Sequence, residues 1–426
     1  MSENLSVPYT RHSLDNGLDV VLSRDPSAPI VGVNLWYGVG SRNEPAGRTG
    51  YAHLFEHMMF QGSANVPKAR HIELVERAGG AVNASTWFDR TNYFETLPSH
   101  YLELALWLES DRMGWLLPAL TEETLQNQQD VVENERKQRY DNQPYGDWDE
   151  RLQALVFPED HPYRHTVIGA MEDFSSATVE DARAFFETYY RPNNAVLTLC
   201  GDLEEERALE LVDAYFGPIP AGDPIPPLPG RTDLPYRIGE TRRDRVEAAV
   251  PLPRIFVAFR IPPFQDDAFP AAEILSAVLA DGKASRLYDS LVRRREVAKD
   301  VGSFAFPLVT GASLLLLRVT GYPGQAPEAL EEATFGEIEA LGEVAQEEVE
   351  RAVTLAETRL VRQLEPVGDR ADLLSMFAQL FDDPGRLNRE LDRLRSVTPE
   401  EVRDFAATYL GPDNRAVVSY EPAEES

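Results

Sequence analysis

The sequence is poor in cysteine and histidine, and it lacks long apolar runs. Its single cysteine, Cys200, cannot form an internal disulfide, and its place in the strand-like run Val196–Cys200 predicts a buried core thiol. No stretch approaches the roughly 18 apolar residues that cross a membrane. Residues 1–20 contain neither the basic segment nor the apolar segment of an export signal. Together these absences predict a cytoplasmic protein with no membrane span.

Positive charge is also scarce. The chain has 41 basic and 71 acidic residues, so its formal net charge is −30. This balance argues against nucleic acid and against anionic membranes as partners. With 426 residues, 43% of them hydrophobic and 26% charged, the chain is long enough and apolar enough for two or more globular domains.

The most informative feature that is present is the run His53-Leu-Phe-Glu56-His57. On a helix, positions 53, 56 and 57 share one face. Two imidazoles four residues apart can bind one metal ion, and a carboxylate beside them can reach a water molecule on that ion. The alternative is a pair of surface histidines beside a glutamate.

A catalytic zinc usually has three protein ligands, so a third ligand is expected elsewhere. A helix is predicted over about residues 121–140, and it offers two glutamates, Glu133 and Glu135. A helical wheel places Glu135 on the inward face and Glu133 on the opposite, solvent-facing side. The inward face also contains other residues, namely Leu125, Gln128, Val131 and Val132. A carboxylate on that face needs a partner, which a metal ion or a neighbouring arginine would supply.

The chain contains an internal duplication. Residues 178–196 align with residues 398–416 at a constant offset of 220, and 8 of the 19 aligned positions are identical. Each copy reads as a helix that ends near a Pro-Asn turn and leads into a strand. The repeat predicts two homologous halves of about 200 residues each.

A proline-rich segment separates the two halves. Residues 217–235 include seven prolines and predict a stiff, extended linker. The predicted organisation is therefore an N-terminal half at 1–216, a linker at 217–236 and a C-terminal half at 237–426. Amphipathic helices mix with short alternating strands such as 29–39 and 254–261 in each half, which is an α+β pattern.

The same offset aligns residues 52–62 with residues 272–282. Glu273, Ser276 and Ala277 then stand where the first copy has His53, Glu56 and His57. The second half therefore lacks the metal ligands, and a single metal site is predicted in the first half.

These motifs together resemble a known family. The H-x-x-E-H run is followed some eighty residues later by Asn134-Glu135-Arg136 and then by Tyr140-Asp-Asn-Gln-Pro144-Tyr-Gly. This pattern resembles the inverzincin peptidases, the family of pitrilysin, insulin-degrading enzyme and mitochondrial processing peptidase. The similarity extends over further residues: Gly40-Ser41-Arg42, Gly50, the run Gly79–Thr86, Asp89, Thr91 and Tyr93.

The resemblance implies a fold, an activity and a ligand set. It implies two similar α+β halves that form half of a clam-shaped chamber. It also implies a zinc-dependent endopeptidase that cleaves extended or unfolded peptides, with one Zn²⁺ bound by His53, His57 and Glu135. Glu56 would activate the water molecule, and the edge strand containing Asn83, Ala84 and Ser85 would pair with the substrate backbone. Manganese and cobalt are compatible with the same ligand types.

Three positions depart from the family pattern in residues that act near the metal. Many relatives have a further glutamate where this chain has Gln128. Active members also have an Arg and a Tyr seven residues apart in the second half, where an ungapped alignment places Val292 and Lys299. A register slip that gives the Arg role to Arg293 or Arg294 is the alternative, but no tyrosine follows at the right distance. We therefore expect a hetero-oligomer in which a homologous subunit supplies the Arg and the Tyr.

Two other function classes remain open from sequence. One is a non-catalytic assembly subunit that retains the fold, although such subunits usually lose the ligands that this chain keeps. The other is a peptide-binding or chaperone-like module without turnover, which a metal assay would distinguish from a peptidase.

Overall fold

The structure is a computed structural model that describes residues 6–423. The chain forms two compact units. The first comprises residues up to 136 together with 166–229 and 361–390, and the second comprises 137–165, 230–360 and the residues from 391 onward.

The strands are short and are distributed along the whole chain. In chain order they are β1 (Thr10–Ser13), β2 (Asp19–Arg24), β3 (Ile30–Tyr37), β4 (Ala81–Thr86), β5 (Thr91–Pro98), β6 (Ala195–Gly201), β7 (Glu240–Ala248), β8 (Arg254–Ile261), β9 (Asp300–Phe306), β10 (Ser313–Thr320) and β11 (Asn414–Pro422).

Helices lie between groups of these strands. They are α1 (Tyr51–Met58), α2 (Arg70–Arg77), α3 (Leu102–Trp115), α4 (Glu122–Arg136), α5 (Trp148–Val156), α6 (Met171–Ser175), α7 (Val179–Tyr189), α8 (Glu205–Phe216), α9 (Phe269–Ala280), α10 (Pro327–Glu339), α11 (Gln346–Leu364), α12 (Val367–Phe381), α13 (Glu390–Arg395) and α14 (Pro399–Tyr409). Two π-helical segments, Lys137–Asp141 and Tyr288–Arg294, complete the helical structure relevant to the site.

The first unit is built on a six-stranded sheet with the order β1-β2-β6-β3-β5-β4. Strands β2 and β6 are parallel, and the other neighbours are antiparallel. Strand β4 lies at one edge, paired with β5. Helix α12, from the second half of the sequence, packs on β3 and β6 of this sheet. Asp372 of α12 accepts hydrogen bonds from Trp36 Nε1 (2.7 Å) and Asn92 Nδ2 (2.8 Å).

The second unit is built on a five-stranded sheet with the order β7-β11-β8-β10-β9. One face of this sheet packs against helices that include α9, α10 and α14 to form an apolar core. Helix α5, from the first half of the sequence, contacts β7, β8 and β11. Arg260 Nε of β8 donates to the Val156 carbonyl at the end of α5 (2.9 Å).

The α+β prediction is confirmed, and the repeat is visible in detail. Helices α7 and α14 have bounds that differ by the predicted offset of 220, and each begins with a threonine cap, Thr178 or Thr398, in a reciprocal capping box. Each helix leads into a strand, β6 or β11. Cys200 is buried in β6, as predicted.

The compact units differ from a division of the sequence into 1–216, 217–236 and 237–426. Residues 217–236 contain no helix or strand. However, residues 137–165 group with the second unit and residues 361–390 with the first. The reason is packing, because α5 and α12 each cover the sheet built mainly from the other half of the sequence.

Candidate metal centre

Helix α1 presents two imidazoles on one face. The rings of His53 and His57 have centroids 4.8 Å apart and are nearly perpendicular. Their side chains are only 12% and 22% exposed. Leu54, Phe55 and Met58 on the same helix are buried, so the apolar side of α1 anchors it while the polar side stays accessible.

A buried carboxylate supports the beginning of α1. Glu44 accepts hydrogen bonds from the backbone N–H groups of Gly50 (2.8 Å) and Ala52 (2.7 Å). It therefore satisfies donors that the first turn of a helix cannot pair internally, and its charge is favourable at that terminus. Burial nevertheless raises the pKa of Glu44 well above its ordinary value.

Two glycines bring a neighbouring loop close to this helix terminus. Gly50 and Gly169 both adopt left-handed backbone conformations, with φ of 86° and 70°. A Cβ atom on Gly169 would lie 2.2 Å from the Gly50 nitrogen, so only glycine fits there. The carbonyl of Gly169 accepts a hydrogen bond from Arg136 Nη1 (2.6 Å), which links this loop to the end of α4.

Helix α4 brings Glu135, the predicted third ligand, next to the histidines. His57 Nε2 lies 3.5 Å from Glu135 Oε2, and His53 Nε2 lies 3.8 Å from Glu135 Oε1. Near the middle of α4, the buried amide of Gln129 donates to the carbonyls of Phe174 (3.0 Å) and Ala177 (3.0 Å). The helix is thus fixed on both sides of the turn that carries Glu135.

The helical-wheel argument selected the glutamate that lies beside the histidines, but it misplaced other residues of α4. Val131, predicted to be inward, is 41% exposed, while Gln129 is buried. Glu133 is half-buried, whereas we predicted it to face solvent. The helical wheel used hydrophobicity alone. The side chain of Gln129 is buried because its amide donates hydrogen bonds to backbone carbonyls, and a hydrophobicity pattern does not indicate such a contact.

The geometry of the three donors fits zinc. All three donor atoms lie within 4.8 Å of one another. The separations from Glu135 are longer than hydrogen bonds. They are close to the roughly 3.3–3.6 Å between two ligands that are each about 2.0–2.2 Å from one tetrahedral zinc ion. Two imidazoles and one carboxylate are also the donor set of several catalytic zinc sites.

Glu56 lies beside this cluster and is held by the edge strand. Thr86 Oγ1, at the end of β4, donates to Glu56 Oε2 at 2.5 Å. Within residues 6–423, Glu56 Oε1 makes no hydrogen bond to the protein. Burial raises the pKa of Glu56, and the hydroxyl of Thr86, His57 and Arg90 oppose that rise. The side chain is therefore oriented and retains one oxygen that can accept a proton.

Residues 83–85 lie on edge strand β4, as the resemblance implied. Asn83 pairs with Phe94 and Ser85 with Asn92 on β5, while the other side of β4 has no strand neighbour in the described part of the chain. Arg90 is half-buried beside this edge and donates to the Ser85 carbonyl at 2.7 Å. An edge strand fixed in this way can accept an extended peptide as an additional strand.

Helix α9, which aligns with α1 at the offset of 220, lacks the predicted metal ligands. Helix α9 contains Glu273, Ser276 and Ala277 at the corresponding positions. Val292 lies in the second π-helical segment and packs against the core of its unit, and Lys299 is exposed just before β9. Gln128 of α4 is buried and donates to Asn127 Oδ1 (2.9 Å).

A second cluster of acidic groups and histidine is fully buried in the first unit. His71, Glu95 and Glu109 have ligand atoms within 4.8 Å of one another. Glu109 is paired with buried Arg112 (Nε to Oε2, 2.8 Å), so a guanidinium already compensates the charge there. Burial raises the pKa of Glu95 to about 7 and lowers that of His71 to about 3. The cluster is a buried network of charged and polar groups that the sequence analysis did not identify.

The sequence analysis missed several residues that position the site. Glu44, Thr86, Arg90, Gln129 and Gly169 act through contacts that connect separate segments. Gly50 and Thr86 lie within motifs that the resemblance highlighted, but the sequence did not indicate what they contact. Glu44 lies six residues before Gly50, too far along the chain for its sequence position alone to indicate a capping role.

Comparisons with known proteins identify the family. Residues 19–159 match the model of insulinase (peptidase family M16), and residues 176–355 match that of the peptidase M16 inactive domain. The chain belongs to the peptidase M16 family. The predicted ligands His53, His57 and Glu135 all lie within the first of these two matched segments, and none lies within the second.

Individual relatives agree with this family. The chain is 31% identical over 412 residues to the zinc protease PqqE of Helicobacter pylori, covering 93% of this chain and 90% of that protein. A crystal structure of a protease from Helicobacter pylori superimposes with a TM-score of 0.90 at 29% identity, covering 97% of this chain and 99% of that one. A peptidase M16 inactive domain from Pseudomonas fluorescens shares the fold, with a TM-score of 0.85 at 18% identity over 98% and 99% of the two chains.

In the part of the chain that the structure describes, no helix combines the length and the apolar content that a membrane crossing requires. The cytoplasmic location stays a prediction.

Proposed function

We propose that this chain is a zinc-dependent endopeptidase that cleaves extended or unfolded peptides. The observation that carries the proposal is the convergence of His53, His57 and Glu135, with Glu56 oriented beside them by Thr86. Two further findings support the proposal. Relatives of the chain are named zinc proteases, and all three predicted ligands lie in the segment that matches the insulinase model and not in the segment that matches the inactive domain.

The chain's own residues can perform the proton transfers of peptide hydrolysis. Zinc bound by His53, His57 and Glu135 would supply a Lewis acid for the scissile carbonyl and acidify a water molecule. Glu56 can take the proton of that water on its Oε1 atom and then pass it to the leaving amine. Its partial burial favours this role, because a carboxylate removed from bulk water is a better proton acceptor.

The edge strand supports a preference for extended substrates. Strand addition to β4 binds a peptide mainly through its backbone, so little sequence specificity is required. A compact folded domain has its strands already paired and cannot add one. We therefore propose that unfolded peptides are cut and folded proteins are spared. Rapid cleavage of a folded, disulfide-locked domain would contradict this.

We further propose that the chain acts as the catalytic subunit of a hetero-oligomer. Val292 packs against its own core and cannot hydrogen-bond to a substrate, and Lys299 lacks a phenol. Arg293 and Arg294, the candidates for a register slip, both pair with Asp289 (3.3 and 3.0 Å). A homologous subunit would supply the Arg and Tyr, and this chain alone would be weakly active.

The ligand set can be tested by metal content. The wild-type chain should bind one zinc ion, and Glu135→Gln should lose it. Glu133→Gln, two residues away on the same helix, is the matched control and should retain zinc. The assignment fails if Glu135→Gln keeps full metal content while Glu133→Gln loses it.

The same structure argues against the non-catalytic alternative. A subunit used only for assembly has no need for three oriented ligands and a general base. The inactive-domain match falls on residues 176–355, outside the metal-bearing segment. This distribution supports a catalytic first half joined to a second half without metal ligands.

A further inference from the structure

A pocket of about 450 Å³ lies in the second unit, on the sheet face opposite the core. Its floor is formed by alternate residues of three neighbouring strands, namely Arg254, Phe256, Gly302, Phe304, Leu316 and Arg318. The intervening residues, such as Val257 and Val319, belong to the apolar core on the other face. Residues 139–148 form one wall, and all lining residues belong to the same unit.

Positive charge is concentrated at this pocket in an otherwise acidic chain of net charge −30. Three arginines line it, Arg139, Arg254 and Arg318. Arg318 pairs with Asp300 at 3.3 Å, and both side chains are about half exposed. Within residues 6–423, no carboxylate lies within ion-pair distance of Arg254. Burial is the main cause that lowers the pKa of Arg254, and the neighbouring Arg318 lowers it further, while Tyr145 and Asp300 act in the opposite direction.

Arg254 is held in place by neutral groups. Its Nε donates to Thr320 Oγ1 (3.0 Å), and its guanidinium lies 3.9 Å from the centre of the Tyr145 ring. In the described chain, its two terminal nitrogens make no hydrogen bond to the protein. They remain available for an anionic ligand.

The residue beneath Arg254 has an unusual backbone conformation. Tyr145 has a φ of 63°, a left-handed value that residues with bulky side chains rarely adopt. Its hydroxyl donates to the Leu252 carbonyl (2.6 Å) and accepts from the Leu252 N–H (3.1 Å), which fixes the ring. Strained residues that the surroundings hold in place are concentrated at binding sites. This gives a role to the Pro144-Tyr-Gly motif, which the metal centre does not use.

Gly302 keeps the pocket open beside Arg318. The two residues are direct neighbours on the adjacent strands β9 and β10. A Cβ atom on Gly302 would lie 3.8 Å from Arg318 Nη2, so any larger side chain would occupy the space next to the guanidinium. Phe304, two residues along β9, is 49% exposed and adds an apolar surface to the same side.

We propose that this pocket binds a carboxylate of the peptide substrate, either an acidic side chain or a free C-terminus. A planar carboxylate matches the hydrogen-bonding fork of arginine, and the surrounding aromatic rings suit the neighbouring apolar atoms of a peptide. The identification of the ligand as a peptide rests on the proposed function. The anionic chemistry rests on the pocket itself.

The test measures binding without turnover. A fluorescently labelled unfolded peptide that contains glutamate is titrated with the Glu56→Gln chain, and anisotropy is recorded. The peptide is compared with its glutamine counterpart, and each is prepared with a free and an amidated C-terminus. The carboxylate whose removal weakens binding is the one that the pocket recognises.

Substitutions in the pocket should selectively weaken the binding of acidic peptides. Arg318→Gln should weaken binding of the preferred acidic peptide at least about fivefold, and that of the fully neutral peptide less than about twofold. Gly302→Val should act similarly by filling the space. Arg245→Gln is the matched control, because Arg245 is an exposed arginine on β7 at the opposite edge of the same sheet. It should bind like the parent chain.

Two results would overturn the inference. One is equal binding of the acidic and neutral peptides by the parent chain. The other is unchanged binding in both Arg318→Gln and Gly302→Val while their thermal unfolding matches the parent. A different result would contradict the proposed peptidase function. In that case the zinc-loaded wild-type chain hydrolyses no peptide, although the pocket still binds acidic peptides more tightly than neutral ones. Hydrolysis of peptides together with equal binding of acidic and neutral peptides would contradict only the proposed carboxylate-binding role of the pocket.

Discussion

Replacing Glu95 by glutamine should stabilise the protein increasingly as pH rises. Glu95 is fully buried and its Oε1 lies 2.5 Å from His71 Nε2. Burial raises the pKa of Glu95 from 4.5 to about 7, so at mildly acidic pH the folded chain keeps a proton that the unfolded chain has released. The amide of glutamine can donate to His71 in the same way, but it has no proton to lose.

Proton linkage determines the sign and the size of this pH-dependent change in stability. A folded-state pKa above the unfolded value lowers the free energy of unfolding as pH rises from about 4.5 to about 7. The difference of about 2.5 pKa units corresponds to roughly 3 kcal/mol. His71 has the opposite dependence, because its pKa is lowered to about 3 and stability is lost as pH falls below about 6.5. His71 is present in both chains, so its contribution largely cancels in the comparison.

The assay is urea unfolding of the wild type and Glu95→Gln between pH 4.5 and 8. The variant should gain up to about 3 kcal/mol relative to the wild type across that range. Glu76→Gln is the control, since Glu76 is an exposed residue on α2, the helix that carries His71. A stability difference for Glu95→Gln that stays constant with pH would refute the assignment of a protonated, buried Glu95.

Three further predictions concern the positioning of the site. Gly169→Ala should destabilise the chain by more than about 1 kcal/mol in thermal or urea unfolding and weaken zinc binding, because its Cβ would collide with the Gly50 nitrogen; unchanged stability would contradict this. Thr86→Val should lower kcat about tenfold or more at full zinc content, because Glu56 loses its orienting hydrogen bond; Thr86→Ser should restore activity, and failure of that rescue would argue against an orienting role. Asp372→Ala should lower the free energy of unfolding by about 1–3 kcal/mol, because buried donors on β3 and β5 lose their acceptor; an unchanged urea midpoint would refute it.

Local patterns in the sequence predicted local structure well. The repeat at residues 178–196 and 398–416 predicted a helix, a Pro-Asn turn and a strand in each copy, because such patterns depend on neighbours only a few residues away, and α7 and α14 lead into β6 and β11 as expected. The H-x-x-E-H run likewise places its two histidines on one helical turn by geometry alone.

Long-range packing was the part that the sequence did not predict. Helices α5 and α12 each pack on the sheet from the other half of the sequence, which no local pattern indicates. Gln129 is buried because its amide meets carbonyls more than forty residues away, and hydrophobic periodicity cannot register such a contact. The arginine pocket combines the segment 139–148 with strands more than one hundred residues further along the chain.

The central claim is that zinc held by His53, His57 and Glu135 works together with Glu56 as general base. The most direct test is zinc content and unfolded-peptide cleavage, measured on the same preparations of wild type and Glu56→Gln. Both assays are run with and without a homologous subunit that lacks H-x-x-E-H. We predict one zinc ion in both chains, cleavage only by the wild type, and faster cleavage when the subunit is added. Wild-type rates of cleavage by Glu56→Gln, or cleavage by a wild-type chain that contains no metal, would contradict the account.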